Sequence, residues 1–596
     1  MPTAPFVRRA RLIAGLTLVA VLSLIPAHAL AQVAGDYRSK ATGNWNATAT
    51  WERFDGTLWV AAVATPTSAD GAITIRSGHV VTISASALSY DQVTVDAGGQ
   101  VTVAAAITHT LANGAGTDLI VNGTWLNLGG TWTVTGATWT VGSGGTYIHS
   151  TTSSISTPIG VATLDAASNF IYRGSSTLTP AVSFANRTYG NLTLESTSGA
   201  WTAAASGTTP LTVNGDFTIG TGVTYSTVQT GIMTFAGNFT NNGTLTNSTG
   251  TQIFTFTGAG KTIGGASSSA FETFNVNTGA SITVNTAASI AATFAGTVDG
   301  TLGVAATLTN SGTLTVNGTL RFDAGGSVSA APVYGASSTL AYNKAAGATV
   351  SGEWGAGSTA GAAVPQNVTV QQGTLTTPTS ARTVPGNLTM SGGALALGTG
   401  GDLTVAGTLA LGASMVTTGA SKVILPATGS LTRTSGYIFG NLQKNVATGT
   451  TVDRTFEVGD ATNYTPASIS FASVTGAGNL VGSTAVPGTL PGAANLSATQ
   501  FVNRSWTLTN SGVVFTTYDA TLKFVAGDIL GSGDPNKFFV AKNTSGTFTR
   551  PNPGTRTATS TQATGMNTLS DFYVGETSFN ITASAGIGQL RVGGKI

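Results

Sequence analysis

The sequence predicts an all-β protein: a β-solenoid, or parallel β-helix-like stack, with an N-terminal Trp-rich cap and a C-terminal antiparallel β-sandwich. Three observations predict this class. Short runs of Val, Ile, Leu, Phe and Thr alternate with polar residues, which is the period of a half-buried strand. Gly, Asn and Asp interrupt these runs, as expected at turns. One phrase, apolar-Thr-apolar-x-Gly-x-apolar, returns about once per 20 residues, which indicates a repeat architecture.

The composition argues against several classes of function. Of the 596 residues, 8% are charged and 79 are glycine, and the formal net charge is +2. A typical soluble domain is roughly 25% charged and ~7% glycine. Lys and Arg are scattered, and no run of them neutralises successive phosphates, so nucleic-acid binding is not expected. The chain has no cysteine, which removes disulfides, thiolate metal sites and cysteine nucleophiles. No cofactor is predicted.

Residues 1–31 have the features of a signal peptide. Arginines lie near the start, the apolar stretch 12–25 is too short to span a bilayer comfortably, and residues 29–31 fit the small-x-small cleavage rule. The sequence therefore predicts export, a mature chain that begins at Gln32, and no transmembrane segment in that mature chain. The predicted location is the extracellular space or the cell surface. A twin-arginine export route is the alternative.

Residues 32–90 are predicted to form the N-terminal cap, because their composition changes and the stretch "GNWNATATWERFDGTLWV" holds three tryptophans. Residues 91–430 are predicted to be solenoid. Phrases such as "LTVNGDFTI" and "MTFAGNFTN" recur there, and ~22 residues per coil gives ~15 coils stacked at ~4.8 Å. Inward positions would carry Val, Leu, Ile and Phe, and outward positions Thr, Ser and Asn.

Residues 431–576 are predicted to form the sandwich. The repeats fade, and longer strands with more charged and aromatic residues appear, such as "RSWTLTN", "ATLKFVAG" and "KFFVAK". This pattern is typical of antiparallel sheets packed face to face. Residues 577–596 are predicted to be a short tail.

Both ends of the chain resemble a known group of proteins. The opening "GNWNATATW…P…D…ITIRSGHVVTI" and the later "GNLQKNV…RTFEVGD…YTPASISF", "NRSWTLTNSG" and "SDFYVGE" are similar to segments of large secreted β-solenoid surface proteins of Bacteroidota and Ignavibacteria. The resemblance implies a structural or adhesive role outside a Gram-negative cell. Such proteins often end in a type IX secretion sorting domain, and the segment after Gly575 is too short for one.

Three tryptophans are candidates for glycan binding. Trp125, Trp132 and Trp139 are evenly spaced in "GTWLNLGGTWTVTGATWTVGSGG", and an exposed set would stack on sugar rings. The alternative is that they fill a wide layer of the core, where large aromatic residues dominate buried area. Trp132 and Val134 are two residues apart, as are Trp139 and Val141, so each pair would point to the same face of a strand. Sharing a face with valine favours the core.

One loop of the predicted sandwich is a candidate calcium site. Asp528, Asp534 and Asn536 lie in "GDILGSGDPNKF", and Ca²⁺ is held by such oxygen ligands. The spacing fits no EF-hand. An ordinary Asp-Pro-Asn turn is the alternative interpretation.

Catalytic and histidine sites are weakly indicated. Asp299 and Asp323 lie about one coil apart with Arg321 nearby, but both aspartates precede turn signals and are better explained as turn formers. No catalytic residue is therefore predicted. The histidines after the signal peptide, at positions 79, 109 and 149, have no metal-binding spacing.

The sequence favours a non-catalytic extracellular structural or adhesin-like protein that presents a repetitive Thr/Asn-rich surface, so that many weak contacts add up. Its expected partners are extracellular glycans or other cell-surface components. The alternative is a carbohydrate-active β-helix, either polysaccharide lyase-like or glycan-binding. Acidic and basic residues gathered on one solenoid face would favour the enzyme, whereas a Thr/Ser/Asn face favours the structural protein.

Overall fold

The structure is a computed structural model that describes residues 32–153, 160, 162–180, 187–247 and 252–578. The predicted signal peptide and almost all of the predicted tail lie outside these residues. Of these residues, 54% lie in strands and 2% in helices, and stacked parallel coils form a β-solenoid of about 18 turns. The predicted fold class is therefore confirmed. No helix in the described segments is long and apolar enough to cross a membrane.

Residues 305–326 show how one coil is built. The strands Thr307–Asn310, Thr313–Val316 and Thr319–Phe322 are separated by two-residue corners, and each pairs in parallel with a strand of the preceding coil. Leu308, Leu314 and Leu320 are fully buried, while the threonines beside them point outward. The two-residue period of a strand thus sorts apolar side chains into the core and hydroxyls onto the surface.

Glycine is required at many corners because the coils stack closely. A Cβ atom on Gly312 would lie 2.1 Å from the carbonyl oxygen of Phe294, and one on Gly318 would lie 2.1 Å from that of Gly300. Neither Gly312 nor Gly318 has a positive φ. Close approach of the neighbouring backbone is therefore the reason for glycine at these two corners.

The chain divides into two compact units: unit 1 is residues 1–203 with 221–223, and unit 2 is residues 204–220 with 224–596. Unit 1 contains three parallel ladders, in which each strand pairs with the equivalent strand of the next coil. Ladder 1a consists of Tyr37–Ser39, Ile73–Ile75, Val93–Val95, Leu119–Val121, Trp139–Val141 and Ala162–Leu164. Ladder 1b consists of Gly43–Asn44, Val80–Ile83, Gln100–Val103, Thr124–Asn127, Thr146–His149, Asn169–Gly174 and Asn191–Ser196. Ladder 1c consists of Leu88–Tyr90, Thr108–Leu111 and Thr131–Val134. Unit 1 also contains the strand Arg187–Tyr189, and the strand Trp201–Gly207 contains the unit boundary.

An antiparallel hairpin covers the first strand of ladder 1a. Trp51–Phe54 pairs with Tyr37–Ser39, and Trp59–Ala61 pairs with Trp51–Phe54; a 3₁₀ turn, Thr48–Thr50, precedes the hairpin. Trp51 is buried, and its indole N–H donates to the carbonyl oxygen of Trp45 at 2.7 Å. Because Tyr37 already pairs in parallel with Ile73, the predicted cap segment supplies solenoid strands as well as the cap.

Unit 2 contains the longer solenoid segment. Ladder 2a consists of Leu211–Val213, Ile232–Phe235, Ile253–Phe256, Thr273–Val276, Ala295–Val298, Thr313–Val316 and Val333–Tyr334. Ladder 2b consists of Phe217–Ile219, Phe239–Asn241, Lys261–Gly264, Ser281–Val284, Thr301–Val304, Thr319–Phe322, Thr339–Asn343, Asn367–Gln372, Leu388–Met390, Thr408–Ala410 and Ser430–Thr432. The third side changes along the stack. It begins with Val223–Gln229 and Thr244–Asn247, and continues with Ser269–Phe271, Ala288–Ile290, Thr307–Asn310 and Ser327–Val328. It ends with Ala348–Thr349, Thr374–Thr376, Ala394–Ala396 and the first half of Met415–Leu425. A separate ladder of Arg382–Val384 and Leu403–Val405 joins the second half of Met415–Leu425.

The sandwich of unit 2 begins with a strand that pairs with the last coil. Tyr437–Val446 is parallel to Met415–Leu425 on one edge and antiparallel to Gly478–Ala485 on the other. The first sheet continues with Leu496–Ser511, Asp571–Thr577, Phe539–Thr544 and Thr547–Thr549, and Val458–Gly459 joins Tyr437–Val446. The second sheet consists of Gly449–Phe456, Ala467–Gly476, Val514–Phe515, Tyr518–Lys523, Asn552–Thr557 and Ser560–Met566. The 3₁₀ turns are Gly492–Ala494, Ala526–Asp528 and Pro535–Lys537.

Candidate functional site

The three candidate tryptophans are in the core of unit 1. Trp125, Trp132 and Trp139 are 0%, 5% and 1% exposed. The ring centroids of Trp125 and Trp132 are 5.5 Å apart at an interplanar angle of 11°, and those of Trp132 and Trp139 are 4.9 Å apart. Because their faces are covered by other side chains, they do not stack on a sugar. The glycan-stacking hypothesis for these residues is wrong, and the core alternative is confirmed.

These tryptophans belong to a continuous column of aromatic rings that fills the interior of unit 1. Successive ring centroids are between 4.9 and 5.8 Å apart, and Tyr172 and Tyr189 both pack against Phe170 at the end of the column. Its members are Trp51, Trp45, Tyr90, Trp125, Trp132, Trp139, Tyr147, Phe170, Tyr172 and Tyr189. Aromatic pairs at such distances add stabilisation beyond the area they bury, so this column is an element of the fold.

Two histidines also serve the packing of unit 1. His109 is buried beside the column, and its Nδ1 lies 2.8 Å from the Tyr90 hydroxyl; burial lowers the pKa of His109 to about 4, so the ring is neutral near pH 7. His79 links two coils through a 2.8 Å contact between its Nδ1 and the Ser39 hydroxyl. Both therefore have structural partners.

The candidate calcium ligands have hydrogen-bond partners within the protein. Both carboxylate oxygens of Asp528 accept hydrogen bonds from Arg504, at 2.8 Å each. Asp534 instead accepts from the backbone and side-chain nitrogens of Asn536, at 3.0 and 3.1 Å. Within the described segments, no group of three or more His, Asp or Glu residues could hold a metal ion. Asp528 is thus engaged by Arg504 and Asp534 by its own turn, which favours the turn interpretation, and the calcium site stays a prediction.

Arg504 is the centre of a buried charge cluster in the sandwich. Its side chain is fully buried and contacts Asp460 at 2.6 Å as well as Asp528. Burial acts to raise the pKa of Asp460, but hydrogen bonds from the Thr462 backbone and Arg504 outweigh it and lower the pKa to about 2. Asp460 therefore stays ionised at neutral pH, and Arg504 joins the loops that carry Asp460 and Asp528.

The aspartates considered for catalysis lie apart in separate interactions. Asp299 accepts a 2.8 Å hydrogen bond from the side chain of Asn317. Asp323 pairs with Arg321 at 2.9 Å and accepts from the Asn343 amide at 2.7 Å. The contacts with Asn317 and Asn343 link neighbouring coils, which agrees with a role in holding corners.

A polar cluster surrounds Glu353 in the long connection between two strands of ladder 2b. The buried Glu353 carboxylate accepts from the Tyr342 hydroxyl at 2.8 Å and from the Ser351 backbone N–H and hydroxyl. A cavity of about 210 Å³ adjoins it and is also lined by Lys344. Burial, followed by the charge of Glu353, raises the pKa of Tyr342 well above its ordinary value. An acid, a phenol and an ammonium group therefore line one small cavity.

Asp91 and Asp118 form a carboxyl pair in unit 1 and are 9% and 0% exposed. Burial and a hydrogen bond with Asp118 raise the pKa of Asp91 to about 6. Burial acts to raise the pKa of Asp118 too, but the backbone N–H groups of Thr138 and Gly114, at 2.6 and 2.7 Å, outweigh it and lower the pKa. Below about pH 6 the pair therefore holds a proton, and the opposite directions of the two pKa shifts place it on Asp91.

The most extended feature of the outer surface of unit 2 is a row of uncharged polar side chains along ladder 2b, here called row 2b. One residue from each successive coil contributes to it. Its members are Ser281, Thr301, Thr319, Thr339, Asn367, Asn387, Thr408 and Ser430. Neighbouring members are ~4.8 Å apart, which is the spacing of paired strands.

Hydrogen bonds between coils hold the second half of row 2b in place. The Asn367 side-chain oxygen accepts from the Asn387 backbone at 2.9 Å, and that of Asn387 accepts from the Thr408 backbone at 2.8 Å. The hydroxyls of Thr408 and Ser430 are 3.0 Å apart. Each hydroxyl and amide can both donate and accept, so the row offers fixed, evenly spaced hydrogen-bonding groups.

Similar rows follow other ladders. Along ladder 2a the outward residues Thr212, Thr234, Thr255, Asn275, Thr297 and Thr315 are in register. Along ladder 1b the residues Gln100, Thr124, Thr146, Asn169 and Asn191 are in register. The sequence predicted outward Thr and Asn. It did not reveal the Glu353 cluster, whose members are brought together by the path of one long connection, or the Asp91–Asp118 pair, whose members come from different coils.

Comparison with known proteins gave no match: no family model, no curated protein and no solved structure matches the chain.

Proposed function

We propose that the protein is a non-catalytic extracellular structural or adhesin-like protein of a Gram-negative cell surface, and that its polar rows bind extracellular glycans or other cell-surface components. Row 2b carries this proposal. A hydroxyl or amide in each coil makes only a weak contact, but a repetitive partner engages many at once, and the combined affinity rises by orders of magnitude. The resemblance of both chain ends to secreted surface proteins supports the same placement.

The test is binding of the chain from Gln32 onward to a glycan array and to immobilised bacterial surface polysaccharide. We expect binding that survives high salt, because the rows are uncharged. The double variant Thr319→Glu, Thr339→Glu places two carboxylates on neighbouring coils of row 2b and should weaken binding at least about 10-fold through lost multivalency. The matched control Thr319→Ser, Thr339→Ser keeps both hydroxyls and should bind like the parent chain. Equal binding by all three proteins would contradict the role of row 2b.

The second candidate is a carbohydrate-active β-helix, and the cavity beside Glu353, Tyr342 and Lys344 favours it. A carboxylate that accepts a hydrogen bond from a phenol is an arrangement suited to proton transfer. The same polysaccharides are therefore assayed for chain cleavage. Depolymerisation that is lost in Glu353→Gln and retained in the row 2b double variant would replace the structural proposal with this one.

A further inference from the structure

We infer that the outer strand of the N-terminal hairpin, Trp59–Ala61, is a self-association site that pairs in antiparallel with the same strand of a second copy of this chain. The strand lies at the edge of its sheet, and in the structure it pairs only with Trp51–Phe54. This inference goes beyond the proposed function and does not depend on what the polar rows bind.

Exposed apolar side chains gather around this edge. Val33, Leu58, Val60 and Val63 are 64%, 66%, 41% and 93% exposed, and all four lie in or beside the hairpin. Large exposed hydrophobic residues that stand together on an otherwise polar surface mark interaction sites.

The edge also lacks the usual protection against pairing. Natural edge strands carry charges, proline or bulges that discourage a second strand from joining. From Gly56 to Ala69 the chain has no charged residue, and its first proline, Pro66, comes after the strand. The strand has no charge that a charged partner could bind, and a second copy of the same uncharged strand is not repelled.

The backbone geometry makes the strand self-complementary. Val60 pairs with Arg53, and the Ala62 N–H donates to the Trp51 carbonyl at 3.2 Å. The backbone N–H and C=O groups of Val60 and Ala62 therefore point towards the neighbouring strand Trp51–Phe54. In an antiparallel pair the direction alternates, which turns the N–H and C=O groups of Trp59 and Ala61 outward.

A two-fold axis through Val60 would satisfy all of these outward groups. Trp59 of one copy would lie opposite Ala61 of the other, and each such pair would exchange two hydrogen bonds. The two Val60 residues would face each other at a non-hydrogen-bonded position, where Cα atoms are about 4.5 Å apart. This arrangement is the isologous contact expected of a symmetric dimer.

The test is sedimentation velocity and light scattering on the chain from Gln32 onward. We expect a concentration-dependent dimer. Val60→Lys places two ammonium groups face to face and should give a monomer, whereas the control Val486→Lys, at a residue that is 52% exposed elsewhere in the chain, should remain dimeric. Near-ultraviolet circular dichroism confirms that both variants are folded. A parent chain that stays monomeric up to about 0.1 mM would overturn the inference.

A cross-linking test checks the register itself. The protein has no cysteine of its own, so Val60→Cys introduces a single thiol. At the expected separation a disulfide forms without backbone movement, and mild oxidation should yield a covalent dimer much faster than with Val486→Cys. Equal rates for the two variants would contradict the proposed pairing, whatever the outcome of the glycan-binding experiments.

Discussion

Trp132 shows how a single residue contributes to unit 1. Its ring centroid lies 5.5 Å from those of both His109 and Trp125 and 6.1 Å from that of Tyr147. Removing it would leave a cavity among rings that the surrounding coils hold apart, so the structure would collapse only partly around the gap.

We therefore expect Trp132→Ala to lower the free energy of unfolding by about 3–5 kcal/mol. Trp132→Phe keeps an aromatic ring at the site and should cost clearly less. Urea unfolding followed by far-ultraviolet circular dichroism measures both, and Val486→Ala, at an exposed position, is the control. A loss below about 0.5 kcal/mol for Trp132→Ala, as is usual at the surface, would show that the column is not tightly packed.

The Asp91–Asp118 pair predicts a pH dependence. Because the folded-state pKa of Asp91 is raised to about 6, the folded chain binds more protons than the unfolded chain at pH values from about 4 to about 6. This contribution to stability is complete below the unfolded pKa and is lost as the pH rises through the folded pKa. Asp91→Asn cannot ionise, and its amide can donate to Asp118.

We expect Asp91→Asn to unfold at a higher urea concentration than the parent chain at pH 7.5, with a smaller difference at pH 4.5. Asp118→Asn is the contrasting variant, because it weakens the acceptor used by the Gly114 and Thr138 backbones, and it should destabilise at both pH values. An effect of Asp91→Asn that is independent of pH would rule out the shared proton.

At the scale of the element, the corner between two strands is the most constrained position. A Cβ on Gly326 would lie 1.7 Å from the carbonyl oxygen of Val304 in the coil beside it, although Gly326 has no positive φ. The corner can accept a side chain only if the two coils separate, which would break the hydrogen bonds of the adjoining ladders.

Gly326→Ala should therefore destabilise the protein by about 1–3 kcal/mol or more. Gly361→Ala is the matched control in the same unit, because a Cβ there meets no atom within 4 Å and the φ of Gly361 is not positive. Urea unfolding and limited proteolysis measure the difference. Similar behaviour of the two variants would mean that the coils are not stacked this closely.

At the scale of the whole molecule, the low charge content governs the response to salt. Only 8% of residues are charged, and exposed ion pairs contribute about 0–1 kcal/mol each. Cohesion instead comes from strand pairing and apolar packing between coils. We expect the unfolding temperature to change by less than about 3 °C between low salt and about 1 M NaCl, where the Debye length is ~3 Å.

Differential scanning calorimetry at a series of NaCl concentrations measures the unfolding temperature. The buried Arg504 cluster is the comparison, because its charges should matter for stability where the surface charges do not. Arg504→Met would leave Asp460 and Asp528 without their shared partner and should cost about 3–5 kcal/mol, since these charges are buried and little screened. A large loss of stability of the parent chain in salt would mean that surface charges matter more than their number suggests.

The sequence by itself determined which side chains of a coil face the core and which face outward. In a strand this direction alternates every residue, so it follows from the local order of apolar and polar residues. Leu308, Leu314 and Leu320 are buried for this reason, and Thr and Asn form the outward rows. The shared strand face of Trp132 with Val134 and of Trp139 with Val141 also favoured the core from the sequence. Only the tertiary structure decided that Asp91 meets Asp118, and that the outer edge of Trp59–Ala61 has no partner strand among the described residues. These outcomes depend on which residues of different coils or strands come into contact, and the local pattern of apolar and polar residues carries no information about that.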